Sequence, residues 1–158
     1  MKSKEDLIVL TNVIRLLVTP EETDYEYAIF EENVPPLGGP PPHTHQDEEI
    51  FYILSGEFEF VLNDLNSPFK AQAGSVVHIP SLALHTYKNV GKTSGKMVVI
   101  LSKGELIDYF RVIGNPVKNE SEWPDLNNIP DMTKIDVKSV VEKGVEFNVS
   151  FELPTLFK

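Results

Sequence analysis

The segment from Gly38 to Phe60 has the sequence GGPPPHTHQDEEIFYILSGEFEF, in which a proline-rich stretch leads into two histidines and three consecutive acidic residues. Side chains alternate across a β-strand, so residues whose numbers have the same parity share a face. His43, His45 and Glu49 are all odd-numbered, and an extended backbone would place them together, with Phe51 following on the same face. A polar cluster beside apolar side chains is typical of the mouth of a β-barrel.

A fourth metal ligand has to come from another segment, and GSVVHIPSLALHTYKN (Gly74–Asn89) offers His78 and His85. His85 has the better context, because it follows a proline turn and opens a new strand-like run. Three imidazoles and one carboxylate suit a divalent transition metal such as Fe, Mn, Ni, Co, Cu or Zn. Four protein ligands leave a position open for a substrate or O₂. The alternative is that these are ordinary polar residues on a solvated strand face.

Short β segments separated by turn signals extend to about residue 102, without a helical segment between them. This pattern favours an all-β sandwich or barrel. Ser55-Gly56 predicts the turn of a hairpin between strands at 49–54 and 57–62. In an earlier strand at 25–31, alternation places Tyr25, Tyr27 and Ile29 on one face. The proline-rich segment 34–42 has to be a loop, since proline lacks the donor that a central strand needs.

The composition changes after Lys103-Gly104. The next segment has apolar residues at helical spacing and ends at Gly114, which predicts a first short helix. Asp136 is placed to cap a second short helix that ends before Gly144. The last segment, VEFNVSFELP, is predicted to be extended. The expected organisation is a β-barrel domain over residues 1–104 and a helical C-terminal extension packed on it over residues 105–158.

The amino-acid composition restricts the kinds of molecule that the protein is expected to bind. The formal net charge of −10 argues against a nucleic-acid partner, because an acidic surface repels phosphate. The chain has no cysteine, which excludes thiolate chemistry and disulfides. The apolar stretch 7–18, which follows Lys2 and Lys4, is interrupted by polar residues and too short to span a membrane. The expectations are a cytoplasmic protein without a membrane partner, and a small molecule, a metal or a second copy of the chain as partners.

Two segments resemble the two signature motifs of the cupin superfamily. The first motif, H-x-H followed by E and then by G after six residues, is matched by His43, His45, Glu49 and Gly56. The second is matched by Gly74, Pro80, His85 and Asn89 at the family's spacing. The chain departs from the pattern at two turn positions: the leading glycine lies closer to the histidines, and Leu82 replaces the glycine of P-x-G. All four positions at which the family binds metal are filled.

The flanking segments, including KGELIDYFRVIGNP, resemble single-domain cupins related to quercetin dioxygenase. The resemblance implies a double-stranded β-helix (a jelly-roll barrel) with short C-terminal helices, and a homodimer. It also implies a metal-dependent dioxygenase acting on a small aromatic or enolisable substrate, with His43, His45 and His85 as ligands and Glu49 as fourth ligand and catalytic base. The alternatives are a non-enzymatic metal- or small-molecule-binding cupin, and a metal-dependent isomerase or decarboxylase.

Three other polar residues near the motifs are not predicted to bind the metal. His78 is predicted to lie at the rim rather than to bind metal, and Asp47 and Glu48 to be solvated acids. Tyr87 is predicted to line the barrel with several other large apolar residues. An isomerase would need a second acid or base at the site, for which His78 and Tyr87 are the candidates.

Overall fold

The computed structural model describes residues 5–153, so Lys2, Lys4 and the outermost ends of both predicted domains lie outside the described residues. This part of the chain contains twelve strands and two α-helices. In chain order they are β1 (Asp6–Val9), β2 (Asn12–Val18), β3 (Tyr27–Val34), β4 (His43–Thr44), β5 (Glu49–Ser55), β6 (Glu57–Leu62), β7 (Phe69–Gln72), β8 (Val76–Ile79), β9 (His85–Asn89), β10 (Gly95–Ser102), α1 (Glu105–Ile113), β11 (Asn115–Val117), α2 (Val137–Gly144) and β12 (Ser150–Phe151). Neither helix is long and apolar enough to cross a membrane.

The strands form two antiparallel sheets that enclose one core. The seven-stranded sheet has the order β11-β1-β2-β3-β10-β5-β8, and the five-stranded sheet has the order β12-β4-β9-β6-β7. Alternate side chains of both sheets are fully buried between them, among them Phe51 and Ile53 from β5, Phe58 from β6 and Met97 from β10. Each sheet has one apolar face, and the two faces stabilise each other by excluding water. The predicted all-β double-stranded β-helix is confirmed.

The predicted hairpin around Ser55-Gly56 is wrong. β5 pairs with β10 and β8 in one sheet, whereas β6 pairs with β7 and β9 in the other. At Gly56 the chain crosses between sheets, with φ of +92° and no room for a side chain, since a Cβ would lie 2.8 Å from the Cα of Gly95. A Ser-Gly pair signals that the backbone bends, but it carries no information about which strand becomes the partner.

The predicted strand at 25–31 is shifted, and its core face is the opposite one. Tyr25 lies in a turn with φ of 61°, and Tyr27 is 45% exposed. The even-numbered residues of β3, Ala28, Phe30 and Glu32, are buried instead. Tyrosine tolerates solvent through its hydroxyl, so an alternation of tyrosines is a weaker sign of the core face than the phenylalanine beside them. The shift places a carboxyl group, that of Glu32, inside the barrel.

Both predicted C-terminal helices are present. Asp136 caps α2 by accepting a hydrogen bond from the backbone N–H of Ser139 (3.0 Å). The last segment is not extended throughout, because residues 145–147 form a 3₁₀ turn and only β12 is a strand. β11 pairs with β1, and β12 pairs with β4, so the segment after residue 104 contributes a strand to each sheet. The division into two domains stays a prediction.

Candidate metal centre

Three histidines come together at one end of the barrel. His43 lies in β4 directly opposite His85 in β9, and His45 follows two residues after His43. Their ring centroids are separated by 4.3 Å (His43 to His85), 4.9 Å (His45 to His85) and 5.4 Å (His43 to His45). One ligand nitrogen from each lies within 4.8 Å of the others, and all three side chains are buried. This spacing suits three nitrogens that converge on one ion.

The backbone fixes the tautomer of each imidazole. The Nδ1 atoms of His43, His45 and His85 lie 2.8, 2.9 and 2.9 Å from the carbonyl oxygens of Pro41, Asp47 and Ala83. A carbonyl oxygen only accepts hydrogen bonds, so in each ring Nδ1 carries the proton. The lone pair is then on Nε2, which is the arrangement that second-shell carbonyls give to metal-binding histidines.

Glu49 completes a donor set of three nitrogens and one carboxylate. Its Oε2 lies 2.9 Å from Nε2 of His85 and 3.2 Å from Nε2 of His45. Despite this distance Nε2 of His45 is fully buried and forms no hydrogen bond. Buried polar atoms are nearly always satisfied, and a bound cation would satisfy this one. The residues therefore fit a divalent transition metal, consistent with the family's ligand positions.

The charge states of His43 and Glu49 favour metal binding, whereas the raised pKa of His45 opposes it. Burial, with repulsion from His85 and His45, lowers the pKa of His43 to about 3, so its imidazole is neutral near pH 7. Burial acts to raise the pKa of Glu49, but attraction to His45 and His85 outweighs it and holds that pKa below its usual range. Burial opposes protonation of His45, yet the Glu49 carboxylate raises its pKa overall. Neutral imidazoles and an ionised carboxylate are the forms that bind a metal.

The proline-rich loop is fastened to the strand that carries His85. The backbone N–H of Leu37 donates to the carbonyl of Asn89, and the N–H of Asn89 donates to that of Gly38. Gly39 passes so close to β9 that a Cβ would lie 1.9 Å from the carbonyl oxygen of Tyr87. The glycines of this loop therefore set the distance between His43 and His85.

A small, partly open space, which we call the chamber, lies on one side of the cluster. Its volume is about 50 Å³, and His43 and Glu49 form the wall on the metal side. Most other lining residues are apolar and come from both sheets, α1 and the C-terminal segment, including Phe30, Phe51, Leu106, Tyr109, Val149 and Phe151. Three polar residues, Asn12, Glu32 and Tyr87, also line it.

His78 and Asp47 lie close to the metal-ligand candidates in sequence or in space, but neither side chain joins them. His78 lies on the outer face of β8 with its side chain 55% exposed, and it pairs with Glu48 at 3.1 Å. The prediction that Asp47 is solvated is wrong, since it is 4% exposed. Its carboxylate accepts hydrogen bonds from the backbone N–H groups of Gly104 (3.1 Å) and Leu106 (2.9 Å). Asp47 thereby anchors the start of α1 beside the metal cluster.

Sequence reasoning missed Glu32 and Asn12. Oε1 of Glu32 accepts hydrogen bonds from the side-chain amide of Asn12 (2.8 Å) and from the hydroxyl of Tyr87. Burial raises the pKa of Glu32 to about 7. The signal was present in the parity of Phe30, Glu32 and Val34, but it becomes visible only once the core face of β3 is assigned correctly.

Comparisons with known proteins agree with this architecture. Residues 30–101 match the cupin domain family. A segment of 85 residues is 29% identical to Auxin-binding protein 1 of Arabidopsis thaliana and spans 49% of this chain but only 43% of that protein.

Two solved structures of similar fold each have a TM-score of 0.54 and 22% sequence identity. One is a predicted oxalate decarboxylase from Thermotoga maritima, for which the similarity covers 64% of this chain and 92% of the other. The other is the polyketide cyclase RemF from Streptomyces resistomycificus, with coverage of 79% and 84%. At this level of identity the likeness shows the fold. Residues 30–101 therefore resemble a cupin domain in sequence, and the two solved structures share the fold of this chain.

Proposed function

We propose that the protein is a metal-dependent oxidoreductase of the dioxygenase type that acts on a small enolisable substrate. The observation that carries the proposal is a buried set of three imidazoles and one carboxylate, from His43, His45, His85 and Glu49, that faces a small, mainly apolar chamber. A divalent transition metal held there would polarise a substrate oxygen and supply the redox chemistry that O₂ requires.

The size of the chamber favours one of the two substrate classes expected from the sequence. A volume of about 50 Å³ accommodates roughly three to five water molecules, at about 10–15 Å³ for each. That suits a compound with a few carbon atoms, such as a hydroxy ketone. A flavonol is larger than this volume.

In this proposal the chain's own residues bind and deprotonate the substrate. The three histidines and Glu49 hold the ion, and apolar side chains of the chamber exclude bulk water. Glu49 is the group that accepts the proton of a substrate hydroxyl at Oε2, as expected from the sequence. That oxygen lies between His45 and His85, on the same wall of the chamber as His43.

Metal content and O₂ uptake test the proposal. The protein is purified without added metal, and elemental analysis compares it with His85→Ala and with His78→Ala, a control histidine on the outer face. We expect close to one first-row transition ion per chain in the wild type and the control, and less than about a tenth of that in His85→Ala, because loss of one ligand opens a buried site. The metal-loaded wild type should consume O₂ with hydroxyacetone, and His85→Ala should not.

Two results would contradict this. If His43→Ala and His85→Ala both retained the metal, the site assignment would be wrong. If the metal were bound but O₂ were not consumed with small enolisable or catechol substrates, the dioxygenase role would be rejected.

A non-enzymatic small-molecule-binding cupin is the second candidate. It is favoured by the similarity to Auxin-binding protein 1, whose name records binding rather than catalysis. In this case a small carboxylic acid would raise the melting temperature of the metal-loaded protein without being consumed. Measuring that shift alongside O₂ uptake and substrate loss separates the two candidates.

We also propose a homodimer formed through the outer face of the seven-stranded sheet. Five exposed apolar side chains cluster there on β5, β8 and β10, namely Ile50, Tyr52, Leu54, Val76 and Ile100. The cluster reaches β8, the edge strand of this sheet within residues 5–153. Antiparallel pairing of two such edges would bring the two clusters together about a twofold axis. Light scattering should give a dimer for the wild type and for Val145→Glu, and a monomer for Tyr52→Glu.

A further inference from the structure

We propose that Glu32 is a second acid–base residue of the chamber, which exchanges a proton with the carbon next to the carbonyl group of a small α-hydroxy ketone. Asn12 and Tyr87 act as positioning residues for its carboxyl group. The inference rests on the proposed function, because it places the substrate between Glu32 and the metal-binding cluster.

The position of Glu32 in the sheet carries the first part of the argument. It lies in β3 with Ile14 of β2 on one side and Met97 of β10 on the other, and its side chain is 5% exposed. It lines the same chamber as His43 and Glu49. A molecule that touches the metal-side wall of so small a chamber is also within reach of Glu32.

The hydrogen bonds of Glu32 are confined to one of its oxygens. Oε1 accepts from the amide of Asn12 and the hydroxyl of Tyr87, and these two donors are themselves 3.1 Å apart. The hydroxyl of Thr11 donates to Oδ1 of Asn12 at 2.8 Å, which fixes the orientation of that amide. Within the described residues no hydrogen bond is made to Oε2 of Glu32. A purely structural buried carboxyl would have both oxygens satisfied, whereas this one keeps an oxygen free for a ligand.

The two carboxyl groups of the chamber have different surroundings. Glu49 lies between two imidazoles, whereas Glu32 contacts only uncharged donors and is repelled by the charge of Glu49. No lysine or arginine is among the residues described as lining the chamber. Burial therefore raises the pKa of Glu32 to about 7. A group that titrates near neutral pH can both accept and return a proton.

The proposed step is a proton transfer without an external oxidant or reductant. The hydroxyl-bearing carbon of the substrate loses its proton to Oε2 of Glu32, and the electron pair of the C–H bond forms the C=C bond of an enediolate. The negative charge moves to the former carbonyl oxygen, and Glu32 becomes a neutral carboxylic acid. Return of the proton to the same carbon regenerates the substrate. Its delivery to the neighbouring carbon, with transfer of the hydroxyl proton to the former carbonyl oxygen, would isomerise it.

Hydrogen–deuterium exchange tests this step apart from the reaction with O₂. Metal-loaded protein is incubated anaerobically with hydroxyacetone in D₂O, and proton NMR follows the loss of the CH₂OH signal. The matched control for Glu32→Gln is Glu31→Gln, the same substitution at the adjacent residue, whose side chain pairs with Lys96 instead (3.5 Å). We expect the exchange rate to fall at least about 100-fold in Glu32→Gln, the usual effect of losing a general base. Glu31→Gln should remain within about twofold of the wild type.

Two further measurements exclude a merely structural role. The metal content of Glu32→Gln should equal that of the wild type. In the protein without substrate, infrared difference spectra between pH 6 and pH 8 should show a carboxylic-acid band in the wild type that is absent from Glu32→Gln. If Glu32→Gln fails to fold, Glu32→Asp retains the carboxyl group and should keep that band while losing most of the exchange, because its oxygen is withdrawn from the substrate.

The outcomes separate this inference from the proposed function. Exchange at the wild-type rate in Glu32→Gln would overturn it, and so would an absence of exchange in the metal-loaded wild type. Glu32-dependent exchange without any O₂ uptake would support the inference and reject the dioxygenase role.

Discussion

The pH dependence of stability provides a direct test of the buried Glu32. Burial raises the pKa of this carboxyl from 4.5 to about 7. The native state therefore holds the proton more tightly than the unfolded state. Stability is lost as the pH rises above the unfolded pKa, and the loss is complete above the folded pKa. Glu32→Gln keeps the shape of the side chain and its acceptor oxygen but cannot ionise, so this loss should disappear.

The expected size follows from the two pKa values. Linkage gives a loss in the free energy of unfolding of about 1 kcal/mol at pH 5 and about 3 kcal/mol at pH 8. The wild type should therefore lose about 2 kcal/mol more than Glu32→Gln between these pH values. All other titrating groups are common to both proteins and cancel in the difference.

Urea unfolding followed by circular dichroism measures this difference, with a chelator present so that metal binding does not contribute. Glu31→Gln serves as the control and should follow the wild type. Parallel pH profiles for the wild type and Glu32→Gln would refute the reasoning, because they would mean that Glu32 ionises in the folded protein as easily as in the unfolded chain.

Three further substitutions probe the loops around the site. Gly39→Ala places a methyl group 1.9 Å from the carbonyl oxygen of Tyr87. The substitution should lower the free energy of unfolding by more than about 2 kcal/mol and reduce the metal content. If both quantities were unchanged, the proline-rich loop would not position His43 as described. Asp47→Ala removes two acceptors from the start of α1 and should cost about 1–2 kcal/mol in urea unfolding, whereas Asp125→Ala, on an exposed loop, should cost much less. Leu82 is 61% exposed and has a left-handed backbone with φ of 64°. Leu82→Gly should therefore stabilise the protein by about 0.5 kcal/mol, whereas the control Leu65→Gly should not. A loss of stability in Leu82→Gly would show that the leucine side chain contributes more to stability than its backbone strain costs.

The metal-binding cluster was predictable because its information is local. The spacing of His43, His45 and Glu49 within one segment places them on one face, and the second motif identifies His85. The strand positions were predictable for the same reason, since alternation and turn residues act over a few positions. The left-handed backbone at Leu82 also falls where the family motif has a glycine.

Properties that depend on distant partners were not predictable. Gly56 bends the chain, but the choice of sheet for β6 depends on β7 and β9. Asp47 was predicted to be solvated, but its carboxylate accepts hydrogen bonds from the start of α1. Glu32 was missed because the tyrosines before it suggested the wrong core face. In each case tertiary contacts determined the role of a residue whose local sequence favoured another one.

The pairing of β12 with β4 has a consequence for biosynthesis. A nascent chain that has left the ribosome only as far as Leu101 already carries all four ligand residues. It still lacks Leu106, Tyr109, Val149 and Phe151, which line the chamber, and the ring of Phe151 packs against His43. During translation there is thus an interval in which all four residues have been synthesised but the C-terminal segment that packs against His43 has not. An ion bound in that interval would be covered only when β12 pairs with β4. Metal ions could therefore still exchange at the site until synthesis of the C-terminal segment is complete.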